Sequence, residues 1–364
     1  MEYKHIGDLV HQVDIRNTDL SVTKLMGVNL AKEFMPSVAN IVGTDLSKYK
    51  VVRKGQFACK LMSVGRDVRL PIAYKTDDEP IIISSAYYSF EVNDVNEILS
   101  EYLMMCFSRT EFDRELWFYS GGDVRGGINW DTFCNTKVPV PSMTDQLRIV
   151  KAYKAITDRI ELKKRINDNL AEYLNCIYIE MTNNTQTTTS LSAICSYVTE
   201  KALFSDIDTS VYVSTENILP DKQGIALFGK TSPSERVTYF REEDVLVSNI
   251  RPYFKKMWFA TTSGGCNADV LCFRALDKRY SYLLKSILFQ DAFFDYVMSG
   301  AKGTKMPRGD KKHIMQYQIP CFSDVQLQKF NALASSIEQN QAQNRQEMSS
   351  LENAKGMILA TLSR

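Results

Sequence analysis

From Thr144 to Met181 the chain holds neither proline nor glycine, and a 4-3 spacing runs through Ile149, Tyr153, Ile156, Ile160, Lys163, Asn167, Leu170, Leu174, Ile177 and Met181. Such a spacing keeps a narrow stripe on one side of a helix and predicts a coiled-coil seam. Near the C-terminus the same seam is written again, through Leu327, Phe330, Ala334, Ile337, Gln341, Asn344, Met348, Leu351, Lys355, Ile358 and Leu362. Both stripes turn polar at their middle, at Lys163 and Asn167 in one and at Gln341 and Asn344 in the other. Antiparallel pairing sets the two middles face to face, where polar partners fix register at some cost in stability. At about 1.5 Å per residue, each helix is roughly 55 to 60 Å long and predicts a spacer. The alternative is a pair of ordinary amphipathic helices, each packed on its own domain; the duplicated polar centre favours pairing.

Ahead of each helix the pattern changes to short β-type runs. In the first half these are Val51-Val52, Phe57 to Lys60, Val68 to Tyr74, Ile81 to Ile83 and Tyr87 to Val92, followed by a helical stretch from Val95 to Phe107. In the second half they are Val211 to Val213, Val237 to Phe240, Val245 to Val247, Lys256 to Ala260 and Val270 to Phe273, followed by a helical stretch from Tyr280 to Tyr296. Strands mixed with few helices suit an α+β domain better than a βαβ series. The polar run Thr182 to Ser190 links the first long helix to the second globular part.

The two halves are copies. Lys137-Val-Pro-Val-Pro-Ser142 opens the first long helix and Gln318-Ile-Pro-Cys-Phe-Ser323 the second. Pro139/Pro320, Ile149/Phe330, Ile156/Ile337, Leu170/Leu351 and Ile177/Ile358 all stand 181 positions apart, about half of the 364 residues. Upstream, Ser120-Gly121 answers Ser299-Gly300, Ser89-Phe90 answers Cys272-Phe273, and Ile6 to Val10 resembles Leu191 to Cys195. A period this long is a duplicated domain rather than a solenoid repeat, which runs at roughly 20 to 50 residues. The expected organisation is a globular domain over 1-142, a helix over 143-183, a second globular domain over 184-322 and a second helix over 323-364.

Composition adds bounds. With 44% apolar residues there is enough chain for each half to bury its own core. No run of about 18 apolar residues exists to span a bilayer, and the N-terminal stretch lacks the apolar segment of a secretory signal, so the expected compartment is the cytoplasm. Eight cysteines are scattered without a C-x-x-C pair, as reduced core thiols are. A formal charge of +1 argues against a uniformly basic surface, yet Ala301 to His313 holds five cations against one carboxylate among turn formers.

Catalytic motifs are missing. Three histidines and no H-E-x-x-H leave a zinc or histidine site without support, and no metal site is expected. There is no G-x-S-x-G, Walker A or G-x-G-x-x-G motif. Arg251-Pro-Tyr-Phe254 lacks the Asn and second Pro of the Asn-Pro-Pro-Tyr box of amino-methyltransferases. Binding chemistry is present instead. Ser248-Asn-Ile-Arg-Pro-Tyr-Phe-Lys-Lys256 lies between two strands, and Lys60-Leu-Met-Ser-Val-Gly-Arg-Asp-Val-Arg69 holds the corresponding place in the first copy. Arg and Asn make bidentate contacts to base edges, while Lys, Ser and Tyr supply phosphate contacts. An exposed turn with incidental cations explains either loop alone; recurrence in both copies favours function.

A globular domain, a Gly-rich turn, a Val/Ile-Pro strand end and a long helix, all repeated once, resemble the specificity (S) subunit of type I restriction-modification systems. The signature runs from Ser120-Gly-Gly-Asp-Val-Arg-Gly-Gly-Ile-Asn-Trp-Asp-Thr-Phe133 to Val138-Pro-Val-Pro141 and Gln146-Leu147, and more loosely from Gly300 to Pro320 and Gln326-Leu327. The resemblance implies two target-recognition domains, each reading one half of a split double-stranded DNA sequence. Two long helices paired as an antiparallel coiled coil would set the gap and carry the modification (methyltransferase) subunits. It also implies that this chain catalyses nothing and holds no cofactor, with S-adenosylmethionine, ATP and Mg on the modification and restriction subunits. The expected DNA-binding residues are Lys60, Ser63, Arg66 and Arg125 in the first copy, and Arg251, Tyr253, Lys255, Lys256, Lys302, Lys305 and Arg308 in the second. Two other classes stay open, an unfamiliar enzyme and a paired-domain scaffold without a nucleic-acid role.

Overall fold

A computed structural model describes residues 2–38, 43–121, 126–207, 211–226 and 235–362. The chain divides into two compact units, Met1–Lys163 with Gln346–Arg364, and Lys164–Arg345.

The first unit contains β1 (Glu2–His5), α1 (Ile6–Leu9), β2 (Val10–Gln12), β3 (Met26–Val28), β4 (Phe34–Pro36), β5 (Lys50–Val52), β6 (Phe57–Cys59), α2 (Val64–Asp67), β7 (Ile72–Tyr74), β8 (Ile81–Ile83) and β9 (Tyr88–Val92). Then come α3 (Ser100–Phe107), α4 (Thr110–Tyr119), α5 (Trp130–Asn135) and β10 (Lys137–Val140), before the long helix α6 (Met143–Asn183). The second unit contains β11 (Thr188–Ser190), β12 (Cys195–Tyr197), β13 (Lys201–Leu203), β14 (Tyr212–Val213), β15 (Arg236–Phe240), β16 (Val245–Ser248), β17 (Met257–Phe259), β18 (Gly264–Cys266) and β19 (Val270–Ala275). It continues with α7 (Ser281–Leu288), α8 (Asp291–Ser299), α9 (Lys311–Ile314) and β20 (Gln318–Pro320), and the long helix α10 (Asp324–Thr361) follows.

The duplication is visible strand by strand. An antiparallel sheet in the order β2-β9-β6-β7 answers one in the order β12-β19-β16-β17. The pair β5-β8 answers β15-β18, which β13 and β14 extend to a four-stranded sheet, and β1-β10 answers β11-β20. Single hydrogen bonds recur: Ile6 N donates to Thr136 O and Leu191 N to Tyr317 O, while Asn93 N donates to Leu9 O and Leu276 N to Ile194 O. Each sheet buries its central strands under the helices that follow. In the first unit Phe57 and Phe90 stack 4.9 Å apart, with Phe107, Phe112 and Phe133 around them. In the second, Phe273, Phe293, Phe294 and Tyr317 form the matching cluster. Each such ring contributes about 1.5–3 kcal/mol of burial, which makes these the centres of the two cores. All eight cysteines are free.

Both long helices open on a capping box. Ser142 pairs reciprocally with Asp145, and Ser323 with Gln326, so an orphan amide is satisfied at each start. Within each unit, α6 and α10 run antiparallel. In the first, Lys355 lies over the Tyr153 ring, and Arg159 and Lys163 both pair with Glu347. In the second, Gln341 Nε2 donates to Asn167 O and Asn344 Nδ2 to Asn167 Oδ1, each at 2.8 Å. The polar centres of the two seams therefore do meet. Ile160, Leu174, Phe330 and Ile337 are buried, and Ile149, Ile156, Leu170, Ile177, Met348, Leu351 and Ile358 are half-buried along the same stripes. The α+β class, the two similar domains and the antiparallel helix pair stand as expected.

Three local expectations change. The strand expected over Val68 to Tyr74 is only Ile72–Tyr74, because 64–67 close a helical turn and Val68 takes a left-handed φ of 55° that ends it. The helix expected from Val95 starts at Ser100, since Asp94 folds back on Asn96 N and holds a turn there. The helix expected from Tyr280 to Tyr296 is two helices. Gln290 is extended between them, and its side chain caps α7 through Ser286 O. Among the described residues, no helix is long and apolar enough to cross a membrane.

Candidate nucleic-acid interface

The connections β6 to β7 and β16 to β17 are equivalent in the two sheets, and they contain the two polar loops singled out above. In each unit the loop is closed against the segment that precedes the last short helix, and one hydrogen bond does this in both copies. Gly65 N donates to Gly126 O, and Arg251 N to Pro307 O, each at 2.8 Å. Gly126 and Pro307 stand 181 positions apart, in the register of the repeat. The backbones touch. A Cβ on Gly127 would lie 2.6 Å from Met62 Cα, and one on Gly309 would lie 2.9 Å from Asn249 Oδ1. At Gly127 the neighbour is backbone, so glycine is needed for the segment to seat on the loop, whereas at Gly309 the neighbours are side-chain ends.

In the second unit this brings together two stretches that are far apart in sequence. Ile250 bridges Arg308, whose carbonyl accepts from Lys302 N. Arg251 has a left-handed backbone, and its Nε is buried without a hydrogen-bond partner among the described residues. Tyr253 is exposed beside Phe254, ring centroids 4.7 Å apart. Lys302 and Arg308 stand at the surface and pair with Asp310 at 2.7 Å and Asp269 at 3.2 Å. Lys305 is exposed. Lys255 and Lys256 point elsewhere: one pairs with Asp291 at 3.0 Å, and the other donates to Thr215 O at 2.8 Å.

In the first unit Lys60 is half-buried with its Nζ over the Tyr87 ring, and Arg66 is exposed with its guanidinium forked on Asp67 at 2.7 and 2.9 Å. Ser63 is only 3% exposed, because the turn into α2 folds it inward, so it offers no surface for a ligand. Arg125 lies outside the described residues. Arg69, in the same loop, is also exposed and belongs to this face.

The electrostatics leave these cations available. Lys302 and the backbone amides of His313 and Lys312 hold the Asp310 carboxyl down to about 2. Arg66, in turn, holds Asp67 below the usual carboxylate range. Exposed ion pairs of this kind contribute about 0–1 kcal/mol, so a phosphate oxygen can displace the carboxylate at little cost. Among the described residues, no group of three or more His, Cys, Asp or Glu is placed to hold a metal ion. Two loops, each closed by a backbone hydrogen bond, with cations, an aromatic ring and hydrogen-bond donors at their rims, can contact a phosphate backbone and reach base edges.

Comparison with known proteins agrees. Residues 71–172 match the family model for the type I restriction modification DNA specificity domain. No curated protein matches the chain. Among solved structures, the chain is similar to the type I restriction-modification system S subunit from M. genitalium, with 13% identity over 99% of this chain and 95% of that one, at a TM-score of 0.56. It also matches the HsdS subunit from Thermoanaerobacter tengcongensis, with 15% identity over 99% and 96%, at a TM-score of 0.38. The first likeness shows a shared fold, and the family model supplies the link to DNA specificity. The resemblance seen in the repeated motifs holds.

Proposed function

We propose that this chain, with a type I restriction-modification specificity domain over residues 71–172, is the DNA-specificity subunit of such a complex. The observation that carries the proposal is the duplicated loop pair, closed by the same hydrogen bond at Gly126 and at Pro307 on two copies of one sheet. Each recognition domain reads one half of a bipartite double-stranded target. The loops differ in length and chemistry, Lys60 to Pro71 with a helical turn and Asn249 to Lys256 without an α-helix, so the two half-sites are unlike.

The paired helices fix the gap between half-sites and dock the modification subunits, with a restriction subunit joining the same assembly. S-adenosylmethionine, ATP and Mg belong to those partners, and this chain contributes recognition without catalysis, in the cytoplasm. A formal charge of +1 fits a reader that shares the phosphate clamp with its partners.

The test is to co-purify the chain with its modification subunit and select binders from a duplex library. A split motif with a constant gap is expected to be enriched. Arg251→Glu should weaken binding and relax choice at one half-site by about 1–3 kcal/mol, the worth of one good bidentate contact. Selection of no sequence by an assembled complex would favour the scaffold alternative, and methyl transfer or cleavage by the chain alone would favour the enzyme.

A further inference from the structure

Behind each polar loop sits a lysine that neither the motifs nor the family match singles out. In the first unit it is Lys32, at the tip of the β3-β4 hairpin. Its Nζ donates to Asp113 Oδ1 at 2.7 Å, to Phe107 O at 2.8 Å and to Leu70 O at 3.3 Å. Asp113 Oδ1 also accepts from Leu70 N at 3.0 Å. One ammonium thus joins the hairpin, the C-terminal end of α3, the start of α4 and the last residues of the β6-β7 loop.

In the second unit the part is played by Lys222, on the turn between Ile218 and Ile225, which bridge one another. Its Nζ donates to Asp291 Oδ1 at 2.7 Å and to Phe289 O at 3.1 Å. Its backbone N donates to Lys255 O at 2.9 Å, and Asp221 N donates to Phe254 O. Asp291 Oδ2 takes Lys255 Nζ at 3.0 Å, so the aspartate again grips the end of the loop.

The correspondence is positional as well as chemical. Phe107 and Phe289 stand 182 positions apart, and each carbonyl lies at the C-terminal end of the helix after its sheet. Leu70 and Lys255 each stand two residues before the next strand, β7 or β17. Lys32 and Lys222 both have left-handed backbones, φ 67° and 61°, a region that residues with a Cβ rarely occupy unless the surroundings over-determine it. A cation on the last carbonyl of a helix satisfies an orphan acceptor and the negative end of the dipole, which explains why a lysine suits this place in both copies. The aspartates are not sequence equivalents. Asp113 is the fourth residue of α4 and Asp291 the first of α8, both in the first turn, so the same bond has been kept with the carboxylate supplied from a different position.

We propose that Lys32 with Asp113, and Lys222 with Asp291, are positioning residues that set the conformation of the two reading loops, and so the base choice at each half-site, without touching DNA. This rests on the specificity-subunit function proposed above. Lys32→Met, Asp113→Asn, Lys222→Met and Asp291→Asn are tested in the assembled modification complex, measuring binding to the selected duplex and to duplexes with one base changed in either half. Lys32 and Asp113 variants are expected to lower discrimination at one half-site by about tenfold, the low end of what a base contact supplies, and to leave the other intact. Lys222 and Asp291 variants should do the reverse. Melting followed by circular dichroism gives the temperature at which every variant is folded. If Lys32→Met fails to fold, Asp113→Asn, which keeps an acceptor for Leu70 N, and the more exposed Lys222 pair still decide the matter. Folded variants with full discrimination at both half-sites would make the lysines structural ties only and overturn the proposal, as would equal loss at both. A wild-type complex that selects no split motif would instead overturn the specificity function itself, and the positioning role with it.

Discussion

The two units share a skeleton and differ in charge. At the turn before the central strand, the first unit buries Gln56, which accepts from Arg53 N and donates to Glu91 on β9. The second buries Asp244 there. It accepts from Arg241 N and takes a two-pronged Arg274 guanidinium from β19 at 2.9 and 2.7 Å. At the cap of the last short helix the first unit has Asn129 and the second, 181 positions on, Asp310 with Lys302 beside it. Geometry has been retained while neutral amides in one copy face ionic groups in the other. Apolar pattern and turn positions are enough to specify this fold, and the polar groups at its turns need only satisfy the same donors.

The largest expected difference lies at that buried turn. Arg274→Met leaves the Asp244 carboxylate, 2% exposed, without its charged partner and should cost about 3–5 kcal/mol. Gln56→Met removes only neutral and charge-assisted hydrogen bonds and should cost about 1–3 kcal/mol. Urea unfolding followed by the fluorescence of Trp130 in one unit and Trp258 in the other checks this; equal losses would break the comparison.

Next come the loop lysines. The Lys32 and Asp113 side chains are 8% and 9% exposed, those of Lys222 and Asp291 17% and 59%. Lys32→Met should therefore cost about 3 kcal/mol, as for a buried pair broken on one side, and Lys222→Met about 1 kcal/mol or less. The same urea curves read both.

Replacing Asn167 and Asn344 together by Leu should leave stability unchanged or raise it by about 1 kcal/mol, since a polar seam sets register rather than strength. Asn344→Leu alone removes a donor from Asn167 Oδ1 and should cost about 1 kcal/mol. Thermal midpoints of the single and double variants sharpen the contrast.

The smallest effect is the pH response of the two caps. Asp310 is depressed to about 2, first by Lys302 and then by the amides it caps. A depressed carboxylate stabilises the fold above its unfolded pKa of about 3.9 and loses that contribution as the pH falls through its folded value. The Asp310 carboxyl resonance should titrate near 2, and Lys302→Met should move the midpoint up. The Asn129 cap has no charge to titrate and should not respond over this window.

Much of this organisation was legible in the sequence. The 4-3 stripes located both long helices and their polar centres, because a period sustained over many turns is a strong signal. The strands around Phe57, Phe90, Val245 and Val270 were visible as apolar runs. What failed was local. Val68 reads as a strand residue yet caps a helical turn, and Gln290 breaks a helix that its apolar neighbours would continue. In both, side-chain and backbone capping outweighed propensity. Arg251 and Arg308 stand in two separate cation-bearing turns of the sequence, and only the fold brings those loops together. Lys32 and Lys222 left little trace, because their role lies in contacts with Phe107, Asp113, Phe289 and Asp291, distant in the chain. The turn formers Pro220 and Gly224 on either side of Lys222 are the one local signal the sequence holds, and by themselves they say nothing of Asp291 or Phe289.

The most direct test of the central claim is a genome-wide map of adenine methylation in cells with and without this chain, with the modification subunit intact. The account predicts that deletion removes one split motif with two unlike halves, and that restoring the chain brings back the same motif. An unchanged map, in cells shown to express the chain and an active modification subunit, would contradict it.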